Sequence, residues 1–134
     1  SVKVIHDFGQ SINKVIDVGQ AEGALMQGIG WMTLEEIIYN EQGKLLTDTL
    51  SAYKVPDINF TPKEIEIEFL GNSFNKPGPM NSKAIGEPPF MYGIASYFAI
   101  RNAIESFNKS AEFEYTAPLT PERVLMNLYL NKQV

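Results

Sequence analysis

A carboxylate stands where a polar loop gives way to an apolar helix. Gly86-Glu87-Pro88-Pro89 separates Asn81-Ser82-Lys83 from the long apolar run between Phe90 and Phe107. Two prolines directly after Glu87 fix the backbone there, so the carboxylate cannot swing freely. An ionised Glu in a water-poor pocket is a competent proton acceptor. Free N–H groups at a helix start carry about half a positive charge in aggregate and favour the ionised form. The same residue has a plainer use, because a Glu at a helix N-terminus stabilises that helix by about 0.3–1 kcal/mol. Taken alone, Glu87 fits the plainer use better.

Gln20 carries a similar ambiguity. In Asp17-Val18-Gly19-Gln20, Asp17 reads as an N-cap and Gln20 as the reciprocal arm of a capping box. Its amide could instead reach a heteroatom-rich ligand lying along the helix that follows, at roughly residues 18–32 by apolar periodicity. That helix carries Gly19, Gly23, Gly28 and Gly30. Each interior glycine costs about 1 kcal/mol against alanine, so the set implies close approach of another backbone or of a flat ligand. Ser82 and Lys83 could form an anion site in the Glu87 loop, or could simply be solvated. His6 reads as a structural residue near a strand end, and Trp31 with the Met26-to-Met32 stripe reads as core.

The elements that must position these residues follow from periodicity and turn chemistry. Val2 and Val4 alternate with Lys3, and Phe8 extends the pattern, giving a strand that ends at Gly9. After the glycine-rich helix, residues 35–39 and 44–49 read as a hairpin around Asn40-Glu41-Gln42-Gly43. Pro56 ends an extended piece. Glu64-Ile65-Glu66-Ile67-Glu68-Phe69 alternates cleanly and is a half-buried strand with its glutamates in water. Residues 71–89 are rich in Gly and Pro and are the natural home of a site. A helix over residues 88–108 is apolar nearly all round, with Ile94, Tyr97, Phe98, Ile104 and Phe107 expected inside and Arg101, Glu105 and Lys109 marking a wet stripe. A strand near residues 112–116 and a helix opened by Thr120-Pro121 complete the chain. The expected fold is α+β, a two-layer mixed sheet with packed helices.

Composition narrows the function. The 134 residues suit one domain with one core, and 44% hydrophobic content is ordinary for a globular chain. A net charge of −5 argues against nucleic acid, and no apolar run is long enough to cross a membrane. The chain has no cysteine, which removes disulfides, thiolate metal ligands, iron–sulfur ligation and a thiol nucleophile. One histidine leaves little for an imidazole metal site or a Ser-His triad. The sequons Asn59-Phe60-Thr61 and Asn108-Lys109-Ser110 read as chance matches in a cytoplasmic protein. The start, Ser-Val-Lys-Val, reads as part of something larger.

Four ordered motifs, with a fifth segment near the end of the chain, carry a resemblance. The segment from Asp17 to Gly30 resembles the C-terminal region of the molybdenum (molybdopterin-binding) subunit of the xanthine dehydrogenase family. So do Leu34-Glu35-Glu36, Ser51-Ala52-Tyr53-Lys54-Val55-Pro56 and Ser82-Lys83-Ala84-Ile85-Gly86-Glu87-Pro88-Pro89, and Leu119-Thr120-Pro121-Glu122-Arg123-Val124 is typical of that family's tail. The likeness runs from about residue 7 to residue 128, and motifs in register are more specific than any one of them. Lys14 departs from the pattern, standing where the family commonly has the proline of an Asn-Pro pair.

The resemblance implies roles. In that family the Glu of the Gly-Glu-Pro-Pro motif is the base that activates a hydroxide-level oxygen on molybdenum, a role that falls here on Glu87. The Gln opening the glycine-rich helix contacts molybdopterin, a role that falls on Gln20, and the spacing between the two matches the family's. No residue of this chain is read as a metal ligand. Residues 1–134 are then expected to be a C-terminal molybdopterin-binding domain fragment of a larger hydroxylase, inactive alone. Its cofactor would be molybdenum–molybdopterin, shared with the rest of the subunit, with iron–sulfur clusters and FAD on partner domains or subunits. The implied substrate is a purine or related N-heterocycle, toward which the Pro-Pro after Glu87 leans. Sibling enzymes act on aldehydes or nicotinate, and a non-catalytic assembly domain is the rival from another class.

Overall fold

Period-two alternation predicts two half-buried strands, and the computed structural model, which describes residues 1–111 and 113–129, contains both. β1 (Val2–His6) and β2 (Ile65–Phe69) pair in parallel, with Val2 opposite Ile65 and His6 opposite Phe69. One face buries Val4 and His6. On the other, the Lys3 ammonium bridges Glu66 at 3.1 Å and Glu68 at 2.8 Å. A parallel pair requires a long crossover, and here it contains α1 (Lys14–Thr33).

The α+β class therefore holds, but the sheet is two-stranded and parallel rather than mixed. Two expected contributors do not join it. In residues 35–49 the chain does turn back, with a single bridge between Tyr39 and Leu45 and a Leu46 N–H to Ile38 carbonyl bond of 2.7 Å. The Asn40 N–H also reaches the Lys44 carbonyl at 3.0 Å, but side chains take other donors: Asn40 Oδ1 accepts the Gln42 and Lys44 N–H groups, and Thr47 Oγ1 accepts that of Ile38. Near the end, residues 113–116 form no strand, and Glu112 lies outside the described residues. The Arg101 guanidinium lies 5.1 Å from the Phe113 ring centre and 4.4 Å from that of Tyr115, which holds this segment against a helix instead.

α1 begins earlier than Asp17 suggests. Asn13 is the N-cap, its Oδ1 accepting the Ile16 N–H at 3.3 Å. Asp17 sits buried in the first turn and accepts a 2.5 Å bond from Ser11 Oγ. One stripe of α1, comprising Ala21, Ala24, Leu25, Gly28, Ile29 and Met32, faces the interior. It packs on a 3₁₀ segment, Pro88–Gly93, that leads into α2 (Ile94–Phe107). The crossing is close enough that a Cβ on Gly28 would collide with the Phe90 carbonyl, and one on Gly93 would collide with the Gly28 backbone. Trp31 lies half-exposed at the edge of this crossing, its ring centre 5.1 Å from that of Phe90.

α2 is less buried than its composition suggests. Tyr97 and Ile104 are inside, whereas Ile94, Phe98 and Phe107 are 47%, 45% and 49% exposed. Only one face of α2 meets α1, and α3 (Pro121–Tyr129) covers little of the rest. Arg101 and Glu105 mark the polar stripe and pair at 2.9 Å. α3 starts as Thr120-Pro121 predicts, with Thr120 Oγ1 accepting the Arg123 N–H at 3.4 Å.

Candidate functional site

Glu87 ends the loop and caps the 3₁₀ segment with its backbone, its carbonyl accepting the Phe90 N–H at 3.1 Å. Its carboxylate makes no cap hydrogen bond, and none of the described residues donates to it or pairs with it. The side chain is exposed. The helix-start explanation loses its physical basis for two reasons. Pro88 and Pro89 fill the first turn and have no N–H to offer a carboxylate, and the segment is 3₁₀ rather than α-helical.

Gln20 is not a capping-box arm, because the cap is Asn13 and Gln20 lies beyond the first turn. It projects from the outer face of α1 onto the Glu87 loop. Its Oε1 is 2.8 Å from the point a Cβ would occupy on Gly86, the residue directly before Glu87. With a glycine at that position the amide rests directly against the main chain, where a Cβ would make it shift. The structure thus brings together two residues that are distant in sequence, with the Gln20 amide against the main chain that leads into Glu87. Gly19 and Gly23 lie along the same outward side, and a Cβ on either would meet nothing within 4 Å. With exposed Gln27 they form an open strip beside the loop.

Ser82 and Lys83 do not form a free anion site. Ser82 Oγ donates to the Pro79 carbonyl at 2.7 Å. Lys83 Nζ pairs with the Asp7 carboxylate, which also accepts from Ser73 Oγ and, at 2.9 Å, from the Gly9 N–H. Led by Lys83, these donors hold the Asp7 pKa well below the usual carboxylate range. His6 is buried as expected, and burial pushes its pKa below the ordinary imidazole value. Its Nδ1 shares a 2.5 Å hydrogen bond with the Tyr92 hydroxyl, while Nε2 is buried with no partner among the described residues. Asp7 and Tyr92 were not visible as site-building residues from spacing alone. An Asp two residues before a glycine at a strand end, where its side chain can take the Gly9 N–H, was the available signal for Asp7.

Among the described residues, no group of three or more His, Cys, Asp or Glu side chains could hold a metal ion. Nor is any helix among them long and apolar enough to cross a membrane. What the arrangement presents is an exposed carboxylate with no partner among the described residues, an amide against the main chain directly before it, and a bare glycine strip. An amide can donate to and accept from a ligand rich in ring nitrogens and oxygens, and the absence of Cβ atoms lets a flat group approach the helix backbone. These residues fit a pterin-type cofactor.

Comparison with known proteins agrees. Residues 1–62 match the family model of the molybdopterin cofactor-binding domain. The xanthine dehydrogenase of Dictyostelium discoideum is 42% identical over 125 residues, an alignment covering 90% of this chain and 9% of that protein. The xanthine dehydrogenase of Drosophila subobscura is 39% identical over 130 residues, covering 94% of this chain and 10% of that protein. Among solved structures, quinoline 2-oxidoreductase from Pseudomonas putida 86 superposes with a TM-score of 0.80 at 32% identity, covering 94% of this chain and 16% of that one. The α+β fold is thus that of a molybdopterin-binding domain. The chain belongs to the xanthine dehydrogenase family of molybdenum hydroxylases, as a segment of its molybdopterin-binding part. It spans about a tenth of the length of the curated relatives it matches.

Proposed function

We propose that this chain is the C-terminal molybdopterin-binding fragment of a molybdenum hydroxylase, supplying Glu87 as the catalytic base and Gln20 as a cofactor contact. The observation that carries the reading is the seat of the Gln20 amide against Gly86, directly before a Glu87 carboxylate that no described donor occupies. Gln20, with the open backbone at Gly19 and Gly23, would hold part of the pterin. When bound, the molybdenum group supplies the two-electron redox chemistry of hydroxylation. Glu87 accepts a proton on a carboxylate oxygen, and the two prolines after it fix the main chain from which that side chain extends. The rest of the molybdenum subunit completes the site. Iron–sulfur clusters and a flavin would lie on partner domains and would supply the electron outlet, and the assembly works in the cytoplasm.

The substrate is a purine or a related N-heterocycle. The names of xanthine dehydrogenases at 42% and 39% identity and of a quinoline oxidoreductase at 32% support this reading, while aldehyde oxidoreductases at 29% keep the aldehyde in the test. The test is Glu87→Gln in the complete enzyme with its partners, assayed with xanthine, nicotinate and an aldehyde side by side. Removing a positioned base is expected to lower turnover by about 10²–10⁴, with molybdenum content by elemental analysis unchanged. Substantial residual turnover would remove Glu87 from the role. Preference for the aldehyde would keep the chemistry and reassign the substrate. A parent protein that lacks molybdenum would favour a non-catalytic assembly domain.

A further inference from the structure

Two consecutive residues at the end of β1 grip the Glu87 segment from both sides. Asp7 holds Lys83, which precedes Glu87 in the loop. His6 holds Tyr92, which follows Glu87 in the 3₁₀ segment. Main-chain bonds reinforce the first grip: the Lys83 N–H donates to the Phe8 carbonyl at 3.0 Å, the Gln10 N–H donates to the Asn81 carbonyl at 2.9 Å, and Gly9 bridges Ser82. The Asp7 carboxylate also draws in Ser73, so the loop from 71 onward is tied to the same point. The chain between the two grips runs from Ala84 to Met91. It carries a proline pair and the Gly86 that seats Gln20, and Glu87 lies near its middle.

We propose that Asp7 is a positioning residue for the reaction: through Lys83, and with the His6–Tyr92 contact as the second anchor, it sets where the Glu87 carboxylate stands. The proposal rests on Glu87 being the base. The two grips fix the main chain from which the exposed Glu87 carboxylate, without a partner among the described residues, extends. That main chain is pinned on both sides by buried His6 at the end of β1 and by half-buried Asp7 after it, and the prolines restrict the backbone between the two grips. Placement of this kind matters steeply for rate, because a displacement of about 1 Å can cost on the order of 10²-fold.

The test uses the complete enzyme. Asp7→Asn retains an oxygen acceptor for Gly9 and Ser73 but loses the charge that holds Lys83. The expected result is a kcat lowered about 10-fold or more, with KM, molybdenum content and the thermal midpoint near wild type. Lys83→Met, which leaves the Asp7 turn intact, should reproduce the loss. Asp7→Glu should recover part of it, and the Asp7→Asn/Lys83→Met double variant should be no worse than either single one. In a Glu87→Gln background, Asp7→Asn should cost nothing further. Wild-type kcat in both single variants overturns the proposal, as does a fall in stability or molybdenum content that accounts for the whole loss. If Asp7→Asn fails to fold, Lys83→Met decides between the same two outcomes. Failure of the Glu87 reading is distinguishable, since Glu87→Gln would then itself remain active.

Discussion

The two halves of α1 carry glycines at similar spacing and put them to opposite use. In the second half, Gly28 is buried against the 3₁₀ backbone and Gly30 against Pro56 and Glu35. In the first half, Gly19 and Gly23 face open space beside exposed Gln20 and Gln27. A missing Cβ lets another group come close, but it does not say which group. In the second half the group is this chain's own backbone. In the first half nothing in the described chain fills the room, and that is the side on which Gln20 meets the Glu87 loop.

Substitution can break or sharpen this contrast. The largest effect on stability is expected from Gly28→Ala, whose Cβ would drive into the Phe90 carbonyl, a backbone atom that cannot turn aside. Overpacking of this kind costs about 1–3 kcal/mol. A wild-type denaturation midpoint for this variant of the complete subunit would mean that the crossing is not tight. Next comes Gln20→Ala, which removes an exposed amide and should leave the midpoint alone while reducing cofactor occupancy. With a hydrogen bond contributing roughly 0.5–1.5 kcal/mol, molybdenum retention under competing chelation should fall by about 2- to 10-fold. Full retention and full activity would make Gln20 an ordinary surface residue. The smallest effect belongs to Gly23→Ala, where a Cβ meets open space. Removing a mid-helix glycine should raise stability by up to about 1 kcal/mol, and any loss of bound molybdenum would mark the strip as a contact surface. A destabilised Gly23→Ala would erase the difference between the two halves.

Much of the fold was legible from local pattern. The β1 and β2 alternation, the Thr120-Pro121 start of α3 and the extent of α1 to within one turn all follow from rules that act over a few residues. The misplaced features share one cause. Asp17 as a cap, residues 35–49 as a ladder and residues 113–116 as part of a strand were each decided by a competing side-chain contact. Asn13 outbid Asp17, Asn40 and Thr47 took ladder donors, and Arg101 held Phe113 and Tyr115. The exposure of Ile94, Phe98 and Phe107 has another origin, because apolar periodicity reports which residues seek cover and not whether cover is present in the chain.

The candidate site divides along the same line. Sequence by itself determined the residue types and their order: a Glu fixed by two prolines, a Gln on a glycine-rich helix, and motifs in register with the xanthine dehydrogenase family. Only the tertiary structure decided that the Gln20 amide lies against Gly86, that Tyr92 is held by His6, and that Lys83 is committed to Asp7. The physical reason is range. Propensity, capping and periodicity act between neighbours along the chain. The placement of a carboxylate depends on contacts between segments that meet only after α1 has packed across the 3₁₀ turn.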